Sequence, residues 1–354
     1  MSFFSSIPTG GAVTGAEREH VIKTIGFIHY DGYLIGVSVM CGITIATTIA
    51  RIAIRFMTRR RLFLDDYFLI FAAICIIVAT SMLWWWGEGL YLYWAISLKP
   101  QIGIEQGELS KLLDGNMIMS VYVPFVWTAT YSIKLSFLSL FKVLIRNVSS
   151  HLTRYFWFVV ALTIVSWAFS VIERFLLCHY YGVDTVKCWN PSSALYTSLT
   201  TLVNLLDIIT DILVVTFPIK ILSKSQMDRG QKFGLGAFLC LSIVMILITL
   251  VRVLGAIRKG ESQLDVTWEI FWQSMEGCAA IIAASATVFR TVFLRSKHAS
   301  EERRRYPEDK QESVESGSES TEPPRLPPPT MLRSTLGDVR SFIERSARED
   351  RERL

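Results

Sequence analysis

Tyr67 to Trp86 reads YFLIFAAICIIVATSMLWWW, twenty consecutive residues without a charge. An α-helix rises about 1.5 Å per residue, so this run extends about 30 Å, the thickness of a bilayer's hydrocarbon core. A backbone in lipid has no water to bond to, and a helix satisfies its interior N–H and C=O groups within itself. The run is apolar on every side, without the alternation that a barrel strand requires. It predicts a membrane-spanning helix.

Six more segments of this kind flank it: Asp31–Arg55, Asn116–Phe141, Tyr155–Leu177, Tyr196–Leu222, Phe233–Ile257 and Thr267–Leu294. Together they predict an all-α polytopic membrane protein, a seven-transmembrane helix bundle over residues 31–295. An N-terminal segment of residues 1–30 precedes it, and residues 296–354 form a tail. Composition agrees. Residues 299–354 carry 24 of the 67 charged side chains and six of the eleven prolines, leaving 43 charges in the first 298 residues, about 14%. Soluble domains average about 25% charged. An ordinary soluble enzyme is excluded, and the bilayer is the expected partner of the body. The tail's proline and serine clusters predict a disordered, charged cytoplasmic extension.

The tail's net charge is −2 and the body's is +7. Basic residues on a membrane body gather in cytoplasmic loops, so the excess predicts anionic lipid contact and no nucleic-acid site. One side of the predicted bundle collects seventeen Lys and Arg, among them Arg59, Arg60, Arg61, Arg146, Lys224 and Arg229, against seven on the other. The N-terminus is therefore expected outside and the C-terminus in the cytoplasm. Trp84, Trp85, Trp86, Tyr91, Tyr93 and Trp94 cluster where the second span leaves the outer leaflet, the pattern of an interfacial belt.

No His-Glu-x-x-His, Cys-x-x-Cys, P-loop or nucleophile elbow occurs, so no metal or cofactor is expected. The seventh span contains no lysine that could bind retinal. Cys178 and Cys188, separated by nine residues in a loop on the predicted outer face, are candidates for a disulfide. Asp65 and Asp66 open the second span, where carboxylates suit helix capping or the docking of a cytoplasmic partner.

Charges inside the spans carry the most information, because ionisable groups at bilayer depth face the bundle and pair. Those well inside a span are Lys134, Asp207, Asp211, Arg252 and Glu276, with Asn204, Asp207 and Asp211 on one face of the fifth span, while Glu173-Arg174 lies near the outer end of the fourth. Counting depth along the helices permits two pairs, Lys134 with Asp211 and Arg252 with Glu276. Asp207 is left near mid-depth beside Asn204, able to join either pair. These six residues are the candidates for a ligand pocket or an ion-pair network.

Arg51–Arg55 followed by Leu64-Asp65-Asp66-Tyr67, Lys134-Leu-Ser136 with Phe141 and Arg146, Cys178 with Cys188-Trp189-Asn190, and Asp207-x-x-x-Asp211 with Phe217-Pro218 continue in order through Gln226-Met227, Lys232, Arg252, Asp265-x-Thr267-Trp268 and Glu276. In that order and spacing the chain resembles the fungal rhodopsin-like integral membrane proteins. The resemblance implies seven helices with a topology like that of G-protein-coupled receptors. For some members it implies a link to sensing, for others to secondary-metabolite gene clusters. Asp-Arg-Tyr after the third span and Asn-Pro-x-x-Tyr in the seventh are both missing here. The expected function is receptor-like: a small molecule bound near Asp207 and Glu276, and a signalling partner at the cytoplasmic loops. The alternative is a membrane-embedded enzyme or accessory protein of secondary metabolism, with Asp207, Asp211 or Glu276 as a general acid.

Overall fold

The computed structural model describes residues 15–59, 63–105, 107–145, 150–182, 184–185, 193–224, 243–255 and 265–286. Among them every regular element is helical and no strand occurs. In chain order the helices are α1 (Ala16–Thr24), α2 (Tyr30–Arg59), α3 (Leu64–Leu98), α4 (Glu108–Ile145), α5 (Ser150–Leu177), α6 (Ser193–Lys224), α7 (Ile243–Gly255) and α8 (residues 266–286). Tyr30–Met57 of α2, Leu64–Leu98 of α3, His151–Leu177 of α5 and Ser198–Phe217 of α6 are each long and apolar enough to cross a membrane. The tail, residues 225–242 with the first part of the sixth predicted span, and the last residues of the sixth and seventh predicted spans lie outside the described residues.

The distribution of side chains is that of a protein solvated by lipid. Among the described residues Arg51 and Arg252, each 1% exposed, are the two largest fully buried side chains. Ile35, Val165 and Leu254 are each more than 60% exposed. Water would reverse this order, since charged groups are almost never fully buried in soluble proteins unless paired. The chain is a helical, multi-pass membrane protein. Its core runs down the seam between α2, α3, α4 and α8, through Tyr33, Leu69, Ile76, Tyr122, Ile133 and Ile281.

Helices α2 to α6 outrun the predicted spans because hydropathy reports only the part immersed in lipid. α3 continues twelve residues past Trp86, through Gly87-Glu88-Gly89, to Leu98. Leu90, Tyr91, Trp94 and Ala95 are buried there with Ile25 and Ile102, which compensates the weak helix propensity of the two glycines. The aromatic belt is correspondingly smaller than expected. Trp84 and Trp85 face outward, 58% and 77% exposed, whereas Trp86, Tyr91 and Trp94 are core residues. Trp86 Nε1 donates to the Lys111 carbonyl at 2.8 Å, and Tyr91 donates to the Ile28 carbonyl at 2.8 Å.

The N-terminal segment, read from sequence as a plain extension, carries α1 and is fastened to the bundle. Arg18 is buried and donates to both carboxylate oxygens of Glu108, at 3.0 and 2.6 Å, and to the carbonyls of Ile102 and Gly103. The hydrogen bonds that Arg18 donates to Glu108, and the negative charge of that carboxylate, hold the Arg18 guanidinium above its ordinary range. Burial pushes Glu108 up, but the Arg18 bond and the Glu105 N–H outweigh it, so this carboxyl sits below its ordinary range. Farther along, Asp265 caps α8: one oxygen accepts the N–H groups of Thr267 and Trp268, and the other accepts the N–H of Phe27 at 3.3 Å. One carboxylate thereby ends a helix and anchors the N-terminal strap.

Candidate functional site

α6 presents Asn204, Asp207, Thr210 and Asp211 to the bundle, three and four residues apart, so the four polar side chains share one helical face. α4 answers with Lys134. Its ammonium contacts Asp207 Oδ1 at 2.8 Å and Asp211 Oδ1 at 2.7 Å. It also donates to the Asp207 carbonyl and the Thr210 hydroxyl, both at 2.9 Å, and lies 5.2 Å from the centre of the Tyr131 ring, one turn earlier in α4.

The second half of the network hangs on Arg252 of α7. Its Nη1 lies 2.6 Å from Glu276 Oε2 of α8, and its Nη2 donates to Asn204 Oδ1 at 3.0 Å. Glu276 also accepts the Thr249 hydroxyl at 2.9 Å. The guanidinium stands over the Trp127 ring of α4, 5.1 Å from its centre, a cation–π arrangement. Arg252 Nη2 reaches Asp207 Oδ2 at 3.7 Å, which joins the two halves. Four helices are thus tied by one polar cluster.

Lys134–Asp211 and Arg252–Glu276 are both present, and Asp207, which the sequence allowed to join either pair, reaches both cations. It stands between the two cations and is completely buried. Among the described residues, the carboxylate of the cluster that lacks a direct ion pair is one the sequence did not single out, Glu269, which feels the charge of Arg252 without touching it. It is half-buried, one oxygen accepts only the Asn204 amide at 3.3 Å, and the other has no hydrogen-bond partner. Glu269 opens α8 four residues after the capping Asp265, so in the sequence it reads as an ordinary first-turn acid. Thr210, Thr249 and Trp127 were missed too, since a threonine or tryptophan in an apolar run gives no signal of its own.

Among the described residues the cluster holds four carboxylates, Asp207, Asp211, Glu269 and Glu276, against two cations, Lys134 and Arg252. Oxygens of Asp207, Asp211 and Glu276 lie within 4.8 Å of one another, a spacing that could hold a metal ion. The Lys134 ammonium already contacts two of the three carboxylates, so the place for a cation is taken by a side chain. The surplus of acid falls on the side of Glu269.

The other candidates are placed elsewhere. Asp65 and Asp66 are buried, 3% and 1% exposed, and are engaged by Arg51 and Arg55 rather than presented to a partner. Asp66 does reach back to the Phe63 N–H at 3.1 Å, as a residue of a helix's first turn can. Cys178 is buried and disulfide-bonded, while Cys188 lies outside the described residues. Cys41, Cys75 and Cys278 are free and buried.

The family model of the fungal rhodopsin domain matches residues 50–295 of the chain. The match takes in the whole polar cluster, from Lys134 to Glu276, and the Arg51–Asp66 contacts. No curated protein and no solved structure matches the chain.

Proposed function

The chain belongs to the fungal rhodopsin domain family, and on that premise we propose that it is a seven-span, receptor-like protein that binds a small cationic molecule within its bundle. The N-terminus lies outside, the C-terminus lies in the cytoplasm, and the basic loops face the signalling partner. The count of seven is supported by where the charges pair. Lys134, Arg252 and Glu276 converge on α6, a helix long and apolar enough to cross a membrane, which supports counting α4, α7 and α8 as spans beside it.

The observation that carries the ligand's charge is the surplus of four carboxylates over two cations. An isolated buried carboxylate is costly, and Glu269 has an amide where its neighbours have a cation. A basic amine at that position would supply the missing charge. Trp268 and Trp272 stand one residue before and three after Glu269 with their indole rings 5.5 Å apart, and aromatic faces suit an organic ammonium. The enzyme reading has less support: Asp207, Asp211 and Glu276 are each engaged by Lys134 or Arg252, so none is an unengaged acid.

The test is thermal unfolding of the purified full-length protein in nanodiscs against shape-matched primary amines, quaternary ammonium ions and carboxylates. A ligand that binds only the folded state raises Tm in proportion to its concentration over Kd. Some cationic members should raise Tm, and Glu269→Gln should remove that shift without lowering the ligand-free Tm. Equal effects of anions and cations, or no effect of any amine, would overturn the proposal.

A further inference from the structure

A second buried ion cluster lies at the end of the bundle away from α1. Arg51 of α2 donates through Nε to Asp66 Oδ1 at 3.0 Å and through Nη2 to Asp65 Oδ2 at 2.6 Å. Arg55, one turn on, reaches the same Asp65 oxygen at 2.8 Å. Ser136 of α4 donates to the Asp65 carbonyl at 3.1 Å. Unlike the cluster around Lys134, this one balances, with two arginines against two aspartates.

The remaining Arg51 nitrogen, Nη1, donates across the bundle to the Ala284 carbonyl of α8. This tie differs in kind from the others. Both neutralising carboxylates come from α3 and stay with Arg51 wherever α8 stands. Drawing this end of α8 off Arg51 would break the bond to Ala284 and leave Asp65 and Asp66 neutralised, whereas parting Arg51 from α3 would leave two buried carboxylates without this partner. The first motion is cheap and the second is costly.

α8 also connects the two clusters. Ala284 lies eight residues, about 12 Å, beyond Glu276. Between them are Gly277, where a methyl group would overlap Ile76 of α3, and Cys278, 1% exposed and bonded to Thr44 of α2. A shift of Glu276 against Arg252 is therefore carried by a rigid helix to the Arg51 contact.

We propose that Arg51 is a latch, holding the far end of α8 on α2 and α3 in the resting protein and letting it go without unpairing a charge. The latch deepens the receptor-like reading and rests on it: it is the element through which occupancy at Arg252 and Glu276 would be read at the other end of the bundle.

Cys278 reports the latch directly, because it is a free thiol covered by α8 packing on α2. In the full-length chain with Cys41, Cys75 and Cys240 changed to Ser, the rate of alkylation by a membrane-permeant maleimide would be measured in nanodiscs without added ligand. Arg51→Lys keeps a charge beside Asp65 and Asp66 but lacks the forked donors that also reach Ala284. Cys278 should react about tenfold faster, the scale expected for one lost bond to a charged donor. Ser136→Ala, whose bond does not involve α8, should leave the rate unchanged. Should Arg51→Lys fold poorly, Arg51→Gln with Asp66→Asn removes one charge of each sign and should give the same acceleration. A folded variant of either kind that reacts at the parent rate would overturn the latch, as would Ser136→Ala matching their acceleration. Because no ligand is used, failure here is distinguishable from failure of the amine-binding proposal, which is read in Tm.

Discussion

Lys134 is bonded twice to Asp207, once to the carboxylate at 2.8 Å and once to the backbone carbonyl at 2.9 Å. A carbonyl in mid-helix ordinarily serves only the N–H four residues on. The Asp207 carbonyl also receives the Thr210 hydroxyl at 2.8 Å. The lysine therefore grips the helix itself as well as its side chains, and fixes the height of α4 against α6. With Arg252 on the other Asp207 oxygen, the same residue sets the height of α7.

Removing Lys134 should accordingly be among the most damaging single changes. Lys134→Met leaves Asp207 and Asp211 buried, with only the more distant Arg252 to balance them. Breaking a buried pair costs about 3–5 kcal/mol, enough to abolish a monodisperse peak in detergent. Lys134→Met combined with Asp207→Asn and Asp211→Asn removes the charges together and should restore much of the folded fraction. Size-exclusion profiles and Tm of the single and triple variants decide the matter; a fully stable Lys134→Met would show that the network does not hold α4 to α6.

The carboxylates of α8 should separate by partner. Glu276→Gln weakens the charged contact with Arg252 and should lower stability by about 1.5–3 kcal/mol. Glu269→Gln gives up no direct ion pair, only the longer-range pull of Arg252, and relieves acid crowding, so its Tm should equal or exceed that of the parent. Thermal melts in one detergent test both. A Glu269→Gln variant as unstable as Glu276→Gln would mean that Glu269 has a structural partner after all.

Much of this was legible in the sequence, and the boundary is physical. Runs such as Tyr67–Trp86 announce helices because lipid leaves the backbone no alternative. Depth along an axis follows from residue counting, which is why Lys134 and Asp211 could be paired on paper. Position around an axis does not, because it depends on how neighbouring helices rotate. So the sequence allowed Asp207 to join either pair, and only the rotation of the helices shows it standing between both cations. Glu269 and Asp65 were obscured for another reason: each lies in the first turn of a helix, where an acid is expected on dipole grounds alone. Arg51 lies four residues from the end of the first predicted span, where an arginine can reach the interface, so its depth in the bundle gave no signal of its own, although it is one of the most buried side chains among the described residues.

Trp86 gives a packing prediction of the opposite kind. Its ring fills the space above Gly115 of α4, where an added methyl would overlap it, while its N–H bonds the Lys111 carbonyl. Gly115→Ala should force the ring aside and cost about 1–3 kcal/mol as overpacking. Trp86→Phe should cost less by itself, because the smaller ring gives up one hydrogen bond. Combined with Gly115→Ala, it should cost less than the sum of the two changes. A strictly additive double-mutant cycle would separate Trp86 from Gly115.

The Arg18–Glu108 contact predicts a pH dependence at the α1 end. Glu108 titrates below its ordinary value of 4.5 in the folded protein, so it stabilises the docked α1 at pH values above 4.5. That contribution fades as the pH falls through the lowered folded value. Arg18 stays charged throughout. Hydrogen exchange of Ala16–Thr24, corrected for the intrinsic rate, should show protection at pH 6 and its loss in strong acid. Glu108→Gln should show the acid-like exchange already at neutral pH. Protection independent of pH in the parent protein would mean that burial of α1, and not this ion pair, holds it down.

The proposed orientation makes a prediction that needs no ligand and no folded-state assay. Asn147-Val-Ser149 is the only glycosylation sequon in the chain, since Asn190 is followed by Pro191. With the basic loops in the cytoplasm it never meets the glycosylating enzyme, so the native protein should run unchanged after glycosidase treatment. Ala12→Asn creates a second sequon, Asn-Val-Thr14, eighteen residues ahead of the start of α2 at Tyr30. That site should acquire a glycan, seen as a glycosidase-sensitive shift on a gel after expression in a eukaryotic host. A glycan on native Asn147, lost in Asn147→Gln, together with none on the Ala12→Asn variant, would invert the bundle. It would then place the Arg51 contacts at the outer surface.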